Sequence, residues 1–245
     1  MIANLHSLSR PRAATGTADG LPGRSRLGRG CDNSSVRTWT VDARRPDESV
    51  LAEAAAVVRQ GGVVVFPTDT LYGLAADPRN ASAVEKVFAV KGRARREPLP
   101  LIVAGLEEAE TIGEMTELAR RLAAAFWPGP LTVVVGDRGI VAPAVHAGSH
   151  TIGMRVPAMP VAATLARLAG GVVTSTSANR SGAPAPASAI EARNGLGNEV
   201  DGVLDAGRAP GGPPSTIVDV RGERPVLLRA GAIAWEQVLE VLERR

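Results

Sequence analysis

Lys91-Gly92-Arg93 and the run Thr174-Ser175-Thr176-Ser177-Ala178-Asn179 set two cations and a row of hydroxyl and amide groups in one chain. A glycine between two cations lets the backbone come close to a bound group, which suits phosphate. Cations at a helix C-terminus are also favoured by the helix dipole, so a solvated basic end accounts for them equally well. Successive N–H groups and short hydroxyls at 174–179 can form an anion-binding concavity, or can cap a following helix. Thr68, Asp69 and Thr70, within Pro67–Leu74, offer two hydroxyls and one carboxylate directly after an apolar run. A hydrogen-bonded turn uses the same residue types, and for Tyr72, the only tyrosine, a buried packing role accounts equally well. Gly211-Gly212-Pro213-Pro214 delivers Ser215 and Thr216 to another apolar run, a modest phosphate signal that many surface loops share.

Other chemistries are poorly served. The chain has no G-x-x-x-x-G-K-[ST] loop, no strand-linked G-x-G-x-x-G and no G-x-S-x-G. One cysteine, Cys31, excludes an intramolecular disulfide and a multi-cysteine zinc site. Three histidines, His6, His146 and His150, argue against a histidine metal cluster. Hydroxyls, amides and arginines suit binding and charge stabilisation better than covalent catalysis.

These clusters need elements to hold them. Pro46-Asp47-Glu48 opens a helix with Val50, Leu51, Ala54, Val57 and Val58 on one face, closed by Gly61-Gly62. Val63–Phe66 reads as a strand buried on both faces. Helices are expected over Ser82–Val90, Glu114–Phe126, Val161–Leu168 and Trp235–Leu242. Strands are expected at Leu101–Val103, Leu131–Val135, Thr151–Val156, Val172–Thr174, Val203–Asp205, Thr216–Val220 and Val226–Leu228. The late strands are too close together for helical crossovers, so the pattern predicts α/β with a twisted mixed β-sheet and flanking helices. In such folds the polar loops after strands are where ligands bind.

Charge is unevenly placed. Of 245 residues, 28 are Lys or Arg and 25 are Asp or Glu, a net +3. Residues 1–37 hold six arginines and two acids, leaving +4 there and −1 in residues 38–245. Rich also in Ser, Gly and Pro, residues 1–37 are expected to be a disordered extension preceding one domain at 38–245. An organellar transit peptide has a similar composition. Only Lys86 and Lys91 are lysines, which makes a lysine inside a motif more informative. No apolar run approaches a membrane span, so the expectation is a soluble cytoplasmic protein with no membrane partner.

Taken in order, P-T-D-T-L-Y-G-L (67–74), K-G-R (91–93), F-W-P-G-P-L-T (126–132), G-M-R-V-P (153–157), T-S-T-S-A-N-R-S-G (174–182), S-T-I-V-D (215–219) and L-R-A-G-A-I (228–233) resemble the YrdC/Sua5 family over about residues 45–235. Family members are threonylcarbamoyl-AMP synthases, joining L-threonine, bicarbonate and ATP into an intermediate for the tRNA modification N6-threonylcarbamoyladenosine. The resemblance implies a twisted sheet enclosing a positively lined cavity. It assigns Lys91, Arg93, Ser177 and Asn179 to the nucleotide and the chemistry, with Thr151 (through its backbone) and Arg229 also on ATP. It assigns Thr70, Arg155, Ser175 and Ser215 to threonine. Mg²⁺ is implied as the companion of ATP, without a protein metal site, and tRNA and the proteins that complete the transfer act downstream. The chain resembles the short, single-domain form. Ala94 stands where proline usually follows K-x-R, and an apolar residue near Ile102 replaces a histidine common in that strand. A non-catalytic RNA-binding or ribosome-assembly protein on the same fold is the alternative, and the domain found within hydrogenase-maturation proteins is another.

Overall fold

The computed structural model describes residues 36–92 and 97–243. The expected 1–37 extension falls, but for its last two residues, outside them, and so does Arg93. Arg37 already belongs to a strand, β1 (Arg37–Thr40). Asp47 caps α1 (Glu48–Arg59) by accepting from Ser49 N, and the helix buries Leu51, Ala54, Ala55 and Val58. Trp39 Nε1 donates to Glu53 Oε2 at 3.0 Å, tying β1 to that helix. β2 (Val64–Pro67) and β3 (Tyr72–Ala75) form a hairpin. Asn80 then caps α2 (Ala81–Lys91), which ends at Gly92 with φ +58, a conformation glycine adopts without strain.

β4 (Leu101–Val103), α3 (Leu106–Ile112), β5 (Gly113–Glu114) and α4 (Glu117–Phe126) follow. The helix expected from Glu114 begins three residues later. Thr116 caps it through Ala119 N, while Glu114 pairs with Gly136 across a two-residue ladder. Next come β6 (Leu131–Asp137), α5 (Pro143–His146), β7 (Thr151–Arg155), α6 (Pro160–Leu168), β8 (Val172–Thr174) and β9 (Thr176–Ser177). The chain continues through α7 (Ala189–Leu196), β10 (Gly202–Asp205), β11 (Thr216–Asp219), β12 (Val226–Arg229) and α8 (Trp235–Glu243).

The α/β class with mixed strand directions holds, but there are two sheets rather than one. The first has the order β1-β10-β2-β3-β9, and the second β12-β11-β6-β7-β4-β8, with β5 beside β6. The chain crosses between them at Ser175, because β8 pairs with β4 in the second sheet and β9 with β3 in the first. β9 is two residues long, too short for any period-2 signal to show in sequence.

Val63–Phe66 is buried on both faces as expected. Val63 and Val65 join a core with β3, β6, β7 and α4, while Val64 and Phe66 join a second core with α1 and α6. Burial of side chains of this size contributes about 1.5–3 kcal/mol each, which fixes the strand's register between the two cores.

Candidate active site

A cavity of about 550 Å³ opens between the sheets, within the range of about 300–1,000 Å³ typical of small-molecule sites. The first sheet and its β2–β3 turn contribute Thr70 and Ser177; the second contributes Thr151, Arg155 and Arg229; Ser175 and Ser215 come from the joining segments. Seven of the ten residues singled out from sequence therefore meet at one place.

Each has a local reason to be there. Thr68 is buried; its hydroxyl donates to Leu71 O at 2.7 Å and accepts from Thr70 N at 3.3 Å, shaping the hairpin turn that presents Thr70. Gly211 N donates to Thr70 O at 3.0 Å and holds the glycine–proline segment over that turn. Ser175 N donates to Pro100 O at 2.7 Å, fixing the crossover point. At the rim, His146 Nδ1 accepts from Gly148 N and His150 N at 3.2 and 3.3 Å, and Ser149 Oγ lies 2.9 Å from Thr151 Oγ1.

Ser215 and Arg229 form one unit. Arg229 Nη2 donates to Ser215 O at 2.8 Å and to Ser215 Oγ at 2.9 Å, and its Nε reaches the same carbonyl at 3.0 Å. Gly231 permits this packing. A Cβ there would lie 2.3 Å from Pro214 O and 2.5 Å from Thr216 N, backbone atoms that cannot swing away.

Lys91 is placed differently from a residue that meets a ligand directly. It is 4% exposed, and Nζ donates to Ser177 O at 2.8 Å, Ser177 Oγ at 3.2 Å and Asn179 Oδ1 at 3.0 Å. An ammonium has three N–H donors, and these three acceptors all belong to the 177–179 turn. Ser177 forms the cavity wall, with Lys91 and Asn179 behind it.

The charged residues lining the cavity, among those described, are Arg155, Arg229 and Glu97. Arg155 donates through Nη1 to Asp69 Oδ2 at 3.0 Å. Burial lowers the Arg155 pKa, Asp69 opposes that shift, and the like charge of Arg229 adds to it. Partial burial lowers Arg229 as well. Both guanidiniums stay charged at neutral pH. Two like charges drawn partly out of water favour an anion between them.

Thr132, the last residue of F-W-P-G-P-L-T, also lines the cavity but was assigned no role from sequence, because a threonine inside L-T-V-V-V reads as ordinary strand. Ile102 is fully buried in β4, also at the wall. Tyr72 proves to be largely an anchor: its hydroxyl donates to Gly207 O at 2.6 Å and accepts from Ala206 N at 3.2 Å.

Residues 56–231 match the Sua5–YciO–YrdC family, whose description reads "Telomere recombination". The chain belongs to this family. A Bacillus subtilis (strain 168) relative named threonylcarbamoyl-AMP synthase is 36% identical over 212 residues, covering 84% of this chain and 61% of that protein. A Mycobacterium tuberculosis (strain H37Rv) relative is 39% identical over 212 residues, covering 84% of this chain and 95% of its own. The crystal structure of Pyrococcus abyssi Sua5 complexed with L-threonine superposes with a TM-score of 0.79 at 35% identity, over 84% of this chain and 61% of that one. This Sua5–YciO–YrdC chain thus spans about three fifths of the B. subtilis and P. abyssi proteins. Among its described residues no helix is long and apolar enough to cross a membrane.

Proposed function

We propose that the chain is an L-threonylcarbamoyladenylate synthase, making threonylcarbamoyl-AMP and pyrophosphate from L-threonine, bicarbonate and ATP. The observation that carries this reading is the pair Arg155 and Arg229 in one cavity rimmed by the hydroxyls of Thr70, Ser175, Ser177 and Ser215. The family membership and the threonine complex of the P. abyssi relative support it.

The chemistry asks for charge compensation and alignment. The threonine amine attacks bicarbonate carbon, and loss of water leaves a carbamate. A carbamate oxygen then attacks the α-phosphorus of ATP, and the α–β bridging oxygen leaves with pyrophosphate. Such a displacement gains from in-line positioning and charge neutralisation, with little covalent help from protein. In this reading Arg155 grips the threonine carboxylate with the planar fork that lysine lacks. Thr70, Ser175 and Ser215 complete the amino-acid end. Arg229 meets the phosphate end and Ser177 hydrogen-bonds nucleotide oxygens, while Lys91 and Asn179 hold the Ser177 turn from behind. Arg93, with Thr151 through its backbone, completes the nucleotide side.

Mg²⁺ enters as the companion of the ATP phosphates. Hydroxyls, arginines and a single lining glutamate are a poor set for holding a hard cation unaided, and no cluster of three or more His, Cys, Asp or Glu occurs among the described residues. The product carries a mixed anhydride suited to transfer onto adenosine of tRNA by other proteins in the cytoplasm.

The deciding experiment is pyrophosphate release from ATP with L-threonine or bicarbonate omitted in turn. The expected result is release only when both are present. Release indifferent to threonine overturns the proposal, and salt-dependent RNA affinity without such release favours the non-catalytic alternative.

A further inference from the structure

Ser215 Oγ has two neighbours, and together they determine where its proton goes. Arg229 Nη2 lies 2.9 Å away and can only donate, so the serine oxygen accepts there. Thr132 Oγ1 also lies 2.9 Å away. Two directions are open for this second bond. If Ser215 donated, its proton would be held in the wall and the Thr132 proton would need another acceptor. Among the described residues Ser215 Oγ is the one hydrogen-bond partner of Thr132 Oγ1. If Thr132 donates, both serine lone pairs are engaged and the serine proton faces the cavity.

Burial selects the second direction. Thr132 is 4% exposed, whereas Ser215 is only half-buried and sits at the cavity edge. The threonine is also held in place: its methyl lies 3.3 Å from where a Cβ on Gly153 would stand, so glycine on the neighbouring strand makes room for it.

We propose that Thr132 is a positioning residue that, with Arg229, fixes Ser215 as a hydrogen-bond donor aimed at an anionic oxygen of the bound amino acid. This rests on the functional reading above, in which that oxygen belongs to the carboxylate of L-threonine. It adds a residue of the cavity wall, 4% exposed, that acts on one end of the substrate through Ser215.

The test is a cycle of four proteins: wild type, Thr132→Val, Ser215→Ala and the double variant. Pyrophosphate release is followed against threonine at saturating ATP, and against ATP at saturating threonine. Valine keeps the shape and removes the hydroxyl. KM for threonine is expected to rise about tenfold in Thr132→Val, as for one misdirected hydrogen bond, with kcat and KM for ATP within about twofold. Thr132→Ser should restore wild-type KM, and melting temperatures of all variants report folding separately. In the Ser215→Ala background the valine substitution should have no further effect, since the oxygen it orients is gone. An unchanged KM for threonine in Thr132→Val, or a full additional tenfold loss in the double variant, overturns the inference while leaving the proposed function intact. Absence of threonine-dependent release in the wild type overturns the functional reading itself.

Discussion

Under the proposed function Arg155 serves both folding and binding, and the two separate in one double-mutant cycle. Arg155→Met removes a guanidinium 3.0 Å from Asp69 Oδ2, with side chains 9% and 18% exposed. At that distance, with an effective dielectric near 20, the pair's attraction is about 5.5 kcal/mol before desolvation is deducted. Partial access to water and relief of the repulsion from Arg229 reduce the net loss. A destabilisation of about 2–4 kcal/mol follows, or a fall in Tm of about 5–12 °C for a domain of this size. Much of that loss comes from leaving Asp69 charged and unpartnered, so adding Asp69→Asn should recover most of the Tm. Binding obeys different logic. Loss of a bidentate grip on a carboxylate should lower kcat/KM for threonine by about 10²–10³, and Asp69→Asn cannot restore it. The assays are thermal melts and threonine-dependent pyrophosphate release on all four proteins. If Asp69→Asn brings back kcat/KM along with the Tm, Arg155 served only the fold and the reasoning is refuted.

Lys91→Met should lower stability by about 1–3 kcal/mol, because it removes three hydrogen bonds that hold the 177–179 turn; a melt within 2 °C of wild type would contradict that placement. Gly231→Ala should push the Ser215 backbone aside, costing about 1–3 kcal/mol and raising KM for threonine more than KM for ATP, as steady-state kinetics would show. Tyr72→Phe should cost about 1–3 kcal/mol by leaving Gly207 O and Ala206 N unpaired. Burial raises the Tyr72 pKa above its ordinary 10.0. The folded phenol therefore keeps its proton where the unfolded one loses it, so this stability is whole below pH 10 and is lost as pH rises through the folded value. Urea titrations from pH 9 to 11 should show that slope in the wild type and its reduction in Tyr72→Phe.

What was legible in sequence was whatever depends on near neighbours. The continuous run Val63–Phe66, the cap at Asp47 and the face of α1 follow from local spacing and burial, and each stands where expected. Short elements such as β9 and β5 were not legible, because two residues carry no period. Nor was α7, whose Asn194 and Gly195 are weak helix formers.

The chain's residue types alone determined an oxyanion-binding inventory of hydroxyls, amides and arginines, and the order of its motifs identified the family. Tertiary structure decided which of those groups share a cavity and which side chains hold them there. The pairing of Arg155 with Asp69, the turn of Lys91 onto Ser177 and Asn179, and the entry of Thr132 beneath Ser215 join residues 83 to 88 positions apart. Hydrogen-bond direction and burial are properties of three-dimensional neighbours, and local spacing cannot specify neighbours that arrive from elements more than 80 residues away in the chain. Which groups face the cavity and which support them from behind therefore became visible only once the two sheets were in place.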